Sequence, residues 1–502
     1  MTAKKKLPVG ILNILSSLLL QLFTIANGFI LPRILLQTFG SETNGLISSL
    51  CQFLNYISLL EGGVNGVIMA SLFKPLAKND QAKISSIVAT SKKFFRRISL
   101  VFVVYSIGVA LAYPMLSNSS FSFAFITTLT LILSIKLFSQ YCFSISYQNL
   151  LNAGKRGYII SFSKIILIIL DVAAVIIVTN TIPNIHLVEI ISATIYLIQP
   201  LIFSIAVKKH YNIDKSAKPD NELIKSRWDG LSINIAYFIH TNTDITLLTI
   251  FADLQTISVY SVYYLVGNGL SKMINAITSA ISPSIGNLYA MNDKEELNRK
   301  FDLYEYIAFA FVFCFFSIGI LLVTPFVMIY TSNITDTNYF QPVFGILMLI
   351  SEAIYAIRAP YLNLSYNAGK FKDISKHAYI EAALNIIISL ILVKPLGLVG
   401  IAIGTMTAML YRTIFHVIYL KKKILHRPIS KFIKRFAAFF IPIAPIVVLS
   451  FNIFPVTDYS IKEWLIHAII YGIEIIAAIS IISILFFRED LKTLKHYLTH
   501  RV

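Results

Sequence analysis

The amino-acid sequence predicts an all-α protein that crosses a membrane many times. Three observations carry that prediction. Mean hydropathy is +0.73, and 56% of the 502 residues are hydrophobic against 14% charged, more apolar surface than a soluble core needs. Predominantly apolar stretches of about 20 residues, long enough for a hydrocarbon layer about 30 Å thick, recur along nearly the whole chain. The 43 Lys and Arg residues are gathered by side rather than scattered.

The apolar spans fall at 10–36, 44–73, 98–117, 121–149, 158–180, 187–207, 229–251, 257–290, 303–330, 341–366, 377–393, 398–420, 436–454 and 463–487, about 14 transmembrane helices. No soluble domain fits between them. With Lys4, Lys5 and Lys6 placed in the cytoplasm and sides alternating, the outside loops hold only Lys394 and Lys462. This is the positive-inside pattern, and it puts both termini in the cytoplasm. The net charge of +18 therefore reads as a topology signal touching anionic membrane lipid, not as a nucleic-acid site. The first span is too long for a signal-peptide core and lacks a small-residue cleavage site, so it is expected to stay as a helix. Cys51, Cys142 and Cys314 lie inside apolar spans, which implies no disulfide or metal framework. Outside loops are short, the longest being around Ser332 to Phe340.

Two loop motifs repeat. NLLNAGKRG at 149–157 and NLSYNAGKFK at 363–372 share Asn-Ala-Gly-Lys, 215 residues apart. Ala77-Lys78-Asn79-Asp80 after span 2 and Ala290-Met291-Asn292-Asp293 after span 8 lie 213 apart. Spans 1–6 and 7–12 are thus read as copies in one orientation, about a pseudo-twofold axis along the membrane normal. The expected organisation is an N-lobe at 1–210, a cytoplasmic linker at 211–228, a C-lobe at 229–423, and an appendix at 424–502 carrying spans 13 and 14 and a cytoplasmic tail. Two like bundles facing a midplane site is a transporter plan.

Polar groups in a span are costly unless they face protein or water, so their spacing points to where water or substrate sits. Span 1 carries Asn13, Ser17, Gln21, Thr24 and then Gly28. Span 2 carries Asn55, Ser58, Glu61 and Asn65; span 7 carries Asn234, Tyr237, Thr241 and Asp244. Span 8 carries Tyr264, Asn268, Lys272, Asn275 and Ser279. Each set shares one helical face. Ordinary interhelical packing by small and polar residues is one account. Four stripes on the first two spans of each copy favour a hydrophilic cavity.

Six cations lie within spans: Arg33, Lys136, Lys164, Lys272, Arg358 and Arg412. A cation at the bilayer centre costs about 2.5–3.5 kcal/mol on insertion scales. Lys164 and Arg412 are near enough to the cytoplasmic end to snorkel, and Arg33 after Pro32 either faces the cavity mouth or anchors at the interface. Lys136, Lys272 and Arg358 are deeper. They suit an anion, phosphate above all, or else pair with acids such as Glu61, Asp171, Asp244 or Glu352. Asp244, Glu381, Asn385 and Thr405 offer oxygens that suit Na⁺ or a proton relay, or that form a buried hydrogen-bonded network.

The stretch FGSETNGLISSLCQFLNYISLLEGGVNGVIMASLFKPLAKND at 39–80 resembles the amino-terminal region of bacterial polysaccharide repeat-unit flippases. They share a superfamily with multidrug and toxin extrusion antiporters and the lipid II flippase. The plan of six plus six spans with two added at the carboxyl end is similar to this group as well. The resemblance implies a bacterial plasma-membrane protein with a cationic cavity. It would take a polyprenyl-diphosphate oligosaccharide from the inner to the outer leaflet by alternating access, alongside other polysaccharide-assembly proteins. Arg33 and Lys272 match the family's cationic cavity, and Asp244, Glu381, Asn385 and Thr405 are the nearest matches to the sodium ligands of the lipid II relatives, with the acid and amide of span 11 in reversed order.

The expected function is therefore a lipid-linked oligosaccharide flippase. Its substrate-binding candidates are Lys272, Arg33, Lys136, Arg358, Asn268, Asn275, Gln21 and Glu61. Its ion-coupling candidates are Asp244, Glu381, Asn385 and Thr405, with Na⁺ or H⁺ as the ion and no other cofactor. Tyr237 and Tyr264 could stack on sugar faces. A drug or cation antiporter of the same fold should have an acidic cavity, which the deep Lys and Arg residues oppose. A glycan polymerase or ligase should have a sizeable outer domain and a clustered Ser/His/Asp or metal set, and neither is evident. His186, His210, His240 and His377 are scattered, and an enzyme is not expected.

Overall fold

The computed structural model describes residues 8–61, 63–220, 223, 238 and 242–499, and no strand occurs among them. The helices are α1 (Val9–Asn55), α2 (Val64–Ala77), α3 (Gln81–Leu116), α4 (Phe123–Ser139), α5 (Ile145–Ala153), α6 (Gly157–Thr181), α7 (Ile185–Tyr196), α8 (Ile198–His210) and α9 (242–251). They continue with α10 (Leu254–Ala290), α11 (Lys294–Tyr330), α12 (Pro342–Ile357), α13 (Ala359–Asn367), α14 (Phe371–Leu396), α15 (Leu398–Lys423), α16 (Ile429–Ile453), α17 (Ile461–Phe486) and α18 (Arg488–Thr499).

Among the described residues, eleven helical segments are long and apolar enough to cross a membrane, as befits a multi-pass membrane protein. The difference from fourteen has three sources. Most of span 7, with Asn234, Tyr237, His240 and Thr241, lies outside the described residues, as do Lys4, Lys5 and Lys6. Span 8 becomes α10, long but too polar to be one of the eleven. Spans 1 and 2 are joined in α1, where the expected loop shrinks to one residue, Gly40, at φ 79° and ψ 177°. That conformation is essentially glycine-only.

The repeated loops share local geometry. Asn79 and Asn292 both turn the chain at φ +53° and +58°. Asp80 and Asp293 follow as helix N-caps, their side chains accepting from Lys83 N at 2.9 Å and Glu296 N at 3.1 Å. These caps start α3 and α11 well before their apolar stretches, so both helices begin in polar sequence. The Asn-Ala-Gly-Lys pair needs a correction of one residue. The left-handed positions are Lys155 and Gly369, 214 apart, so Asn149 corresponds to Asn363. Asn149 Nδ2 donates to Asn65 at 2.9 Å, and Asn363 Nδ2 to the Tyr304 hydroxyl at 2.9 Å.

The chain forms two compact units, Met1–Phe238 with Leu248–Ser258, and Ile239–Leu247 with Val259–Val502. In the first unit, Gly45 admits the backbone of Leu254 where a Cβ would lie 1.7 Å from its carbonyl oxygen. Asn44 bonds Ser258 at 2.7 Å, and Ser49 bonds Thr249 at 2.6 Å. Several spans are interrupted. Tyr56–Glu61 is a 3₁₀ turn, Gln140–Ser144 a π turn, and span 10 breaks at Arg358, just before Pro360. The short α18 was not evident from hydropathy. It meets the rest of the second unit where Arg435 Nη2 lies 3.0 Å from Asp490 Oδ2.

Candidate functional site

In the second unit, α10 presents the polar face expected of span 8. Lys272 and Ser279 are exposed, while Asn268 and Asn275 are half-buried. No carboxylate among the described residues pairs with Lys272. Tyr264 lies on the same stripe but stacks on Tyr260, ring centres 5.8 Å apart, so it is partly engaged in packing.

A second polar set lies where α14 and α15 meet. Gly400 and Gly404 form a small-x-x-x-small pair on α15 that lets the helices approach closely. A Cβ at Gly404 would lie 2.1 Å from Ser389 Oγ and 2.9 Å from Ser389 N. This approach sets Thr405 beside Asn385, whose Nδ2 donates to Thr405 Oγ1 at 3.3 Å. Thr405 in turn donates to both oxygens of Asp244, at 3.2 and 3.0 Å, and Tyr260 donates to Asp244 Oδ2 at 3.0 Å. Ser389 Oγ donates to Asn385 Oδ1 at 3.1 Å. Asp244 is 7% exposed and has no ion-pair partner among the described residues. Three of the four ion-coupling candidates thus form one network.

The fourth does not join it. Glu381, one turn from Asn385, is clamped by two guanidiniums: Arg358 Nη1 at 2.6 Å and Arg412 Nη1 at 3.1 Å. All three residues are 4% exposed. Two expectations are corrected here. Arg358 is a paired cation rather than an open anion site, and Arg412 does not snorkel but is buried and also donates from Nε to His416 Nε2 at 3.0 Å. Burial explains both, because a guanidinium deep in a bundle needs a carboxylate close by. With its charge already matched, Glu381 is poorly suited to hold a dissolved cation.

In the first unit, Lys136 is likewise paired, with Glu189 at 2.9 Å, and is not an open cation. Its acid was not among the partners weighed from sequence. Glu61 accepts from the Tyr141 hydroxyl at 2.5 Å and from Asn65 Nδ2 at 2.6 Å. Gln21 is exposed on α1 and Arg33 is half-buried there. Asn13, first in that stripe, instead braces the loop after α5, donating to Lys155 O at 2.9 Å and accepting from Tyr158 N at 2.8 Å. His186 bonds Thr128, His210 the Ala206 carbonyl, and His377 Tyr411, so these three are hydrogen-bonded and dispersed.

Sequence reasoning did not single out Tyr260, Ser389, Tyr141, Glu189 or His416. Ser389, Tyr260 and His416 each lie one turn from a residue already singled out, Asn385, Tyr264 and Arg412, a spacing that could have found them; Tyr141 and Glu189 come from separate helices and left no such signal. Among the described residues no three His, Cys, Asp or Glu side chains group to hold a metal. One buried carboxylate among neutral oxygens suits a monovalent cation or a proton instead.

This is the fold of transporters of the MOP superfamily. Among solved structures, the lipid II flippase MurJ in an inward closed conformation superposes with a TM-score of 0.70 over 95% of this chain and 99% of its own, at 16% identity. An inward-facing multidrug resistance MATE family transporter of the MOP superfamily gives 0.58 over 81% and 96% at 15%, and a eukaryotic MATE transporter 0.55 over 92% and 100% at 12%. No protein-family model and no curated protein sequence matches the chain.

Proposed function

We propose that the protein is a flippase that carries a polyprenyl-diphosphate oligosaccharide from the inner to the outer leaflet of a bacterial plasma membrane, for cell-surface polysaccharide assembly. The observation that carries the reading is Lys272, an exposed ammonium with no carboxylate partner among the described residues, on the polar stripe of the long helix α10. Beside it, Asn268 and Asn275 can donate and accept hydrogen bonds, as a diphosphate with attached sugars requires. Arg33 in the first unit is the second cationic candidate, with Gln21 on the same helix as a polar contact. Lys136 and Arg358, already matched, are left to structural roles. The overall likeness to a lipid II flippase favours a lipid-linked substrate.

In this reading Asp244, Asn385 and Thr405 bind the coupling ion, Na⁺ or H⁺, in the second unit. The support is a buried carboxylate, hydrogen-bonded by neutral groups and lacking an ion pair among the described residues. The MATE neighbours favour a second reading, export of a cationic drug. An exposed Lys272 opposes it, since it would repel such a cargo. The deciding experiment is export of surface polysaccharide in cells carrying Lys272→Ala at normal expression, beside a drug-resistance assay. Lost polymer with unchanged resistance supports the flippase; unchanged polymer removes Lys272 from the substrate role.

A further inference from the structure

The first unit holds a buried charged cluster that the transport reading leaves unused. Lys136 on α4, Asp171 on α6 and Glu189 on α7 come from three helices. Asp171 is 2% exposed and Glu189 5%. Lys136 Nζ lies 2.9 Å from Glu189 Oε2, and Ser192 Oγ donates to Asp171 Oδ1 at 2.5 Å. The ammonium also faces the Tyr196 ring, 5.8 Å from its centre. A buried carboxylate and an aromatic face around the charge, with a second carboxylate on the next helix, are surroundings that suit a monovalent cation. Here the cation is the chain's own side chain, reaching in from a neighbouring helix.

We propose that Lys136 is a tethered counter-ion. Its ammonium occupies, without exchange, the place that a dissolved monovalent cation would otherwise take beside Glu189. The geometry supports this over a simple surface ion pair. Lys136 sits at the fourteenth position of α4, well inside the span, and pairs with a carboxylate that is almost wholly buried. A Lys that only anchored at the interface would extend its ammonium away from protein, whereas this one turns to Glu189 and leaves its side chain 28% exposed. A covalent cation cannot leave, so Glu189 keeps its counter-charge in every state of the molecule and answers no ion gradient. If Asp244 holds the coupling ion, as read above, ion dependence then resides in the second unit alone; the tethered-ion proposal itself stands without that reading.

The test is thermal unfolding of the purified, detergent-solubilised chain across a series of NaCl, LiCl and KCl at constant ionic strength with choline chloride, for Asp244→Asn background variants so that the second unit contributes no response. With Lys136 intact the melting temperature should not follow the choice of cation. Lys136→Ala should create a response, rising about 1 °C for each tenfold increase in the preferred cation above its Kd. Lys136→Ala/Glu189→Gln, which removes one charge of each sign, should fold and lose that response. A Lys136→Ala variant equally destabilised in every salt overturns the proposal, because Lys136 would then act as a plain structural ion pair. If Lys136→Ala yields no folded protein, the double variant decides: recovery of folding supports the counter-ion role, and continued failure overturns it in favour of packing by the lysine stem.

Discussion

The Tyr141 hydroxyl donates to Glu61 Oε1 at 2.5 Å and so links two departures from α-helical geometry, the 3₁₀ turn at Tyr56–Glu61 and the π turn at Gln140–Ser144. Such irregular turns inside spans release backbone groups that side chains must re-satisfy. Glu61 has two neutral donors, Tyr141 and Asn65. Removing one leaves a half-buried carboxylate under-solvated. Tyr141→Phe should therefore destabilise the first unit by about 1–3 kcal/mol, and Glu61→Gln should cost less. Unfolding of the two single variants and the double variant checks this: the double should cost less than the sum of the singles, and strict additivity would show that the pair does not interact.

Gly404 permits the approach that brings Asn385 to Thr405. Gly404→Ala places a methyl 2.9 Å from the Ser389 backbone nitrogen, which a side-chain rotation cannot relieve. Overpacking of this kind costs about 1–3 kcal/mol. On the proposed reading, in which Asp244 binds the coupling ion and Thr405 bonds it, the variant should lose cation-dependent transport as well as stability. Transport with and without a sodium gradient is the measurement, with Ser389→Ala as the control that removes the Oγ contact but leaves the backbone clash absent.

What the sequence could and could not disclose follows from the range of the interactions. Span positions depend on local composition, and most were legible. The Asn-Asp loops were legible because a left-handed Asn and a capping Asp are both encoded within four residues. Gly40 was not, since hydropathy falls off on either side of a loop and of a sharp kink alike. The pairing of Lys136 with Glu189 and of Arg358 with Glu381 bridges 53 and 23 residues, and depends on which faces of separate helices meet. A cation in a span announces a partner or a function, and spacing along one helix cannot choose between them. Asp244, Asn385 and Thr405 were found together, but only the clamp on Glu381 separated it from that set.

Glu381 provides a sharper separation of structural and coupling roles. Glu381→Ala removes the single carboxylate shared by two buried guanidiniums, and leaving such charges unpaired costs about 3–5 kcal/mol. The conservative Glu381→Gln keeps hydrogen-bond acceptance and should recover part of that loss. Neither change should alter the preference for one coupling cation over another in whatever transport remains, whereas Asp244→Asn should abolish that preference. A changed cation preference in Glu381→Gln would place Glu381 among the ion ligands after all.

The C-terminal helix offers a test by pH. Asp490 lies on α18, beyond the last membrane-spanning segment. Burial pushes its carboxyl up to about 6, with the nearby Asp302 and Glu305 charges adding to the rise and Arg435 opposing it. A carboxyl whose pKa is higher when docked than when free favours docking in its protonated form. That contribution is complete below the ordinary carboxylate range near 4 and is lost as pH climbs through 6. The docked α18 should therefore loosen between pH 4 and 6.5 and change little above. Quenching of a fluorophore placed at exposed Lys495→Cys reads the docking, in a background with Cys51, Cys142 and Cys314 replaced by Ser or Ala. Asp490→Asn, neutral at every pH, should flatten the profile; a profile unchanged by that substitution would assign the pH response to some other group.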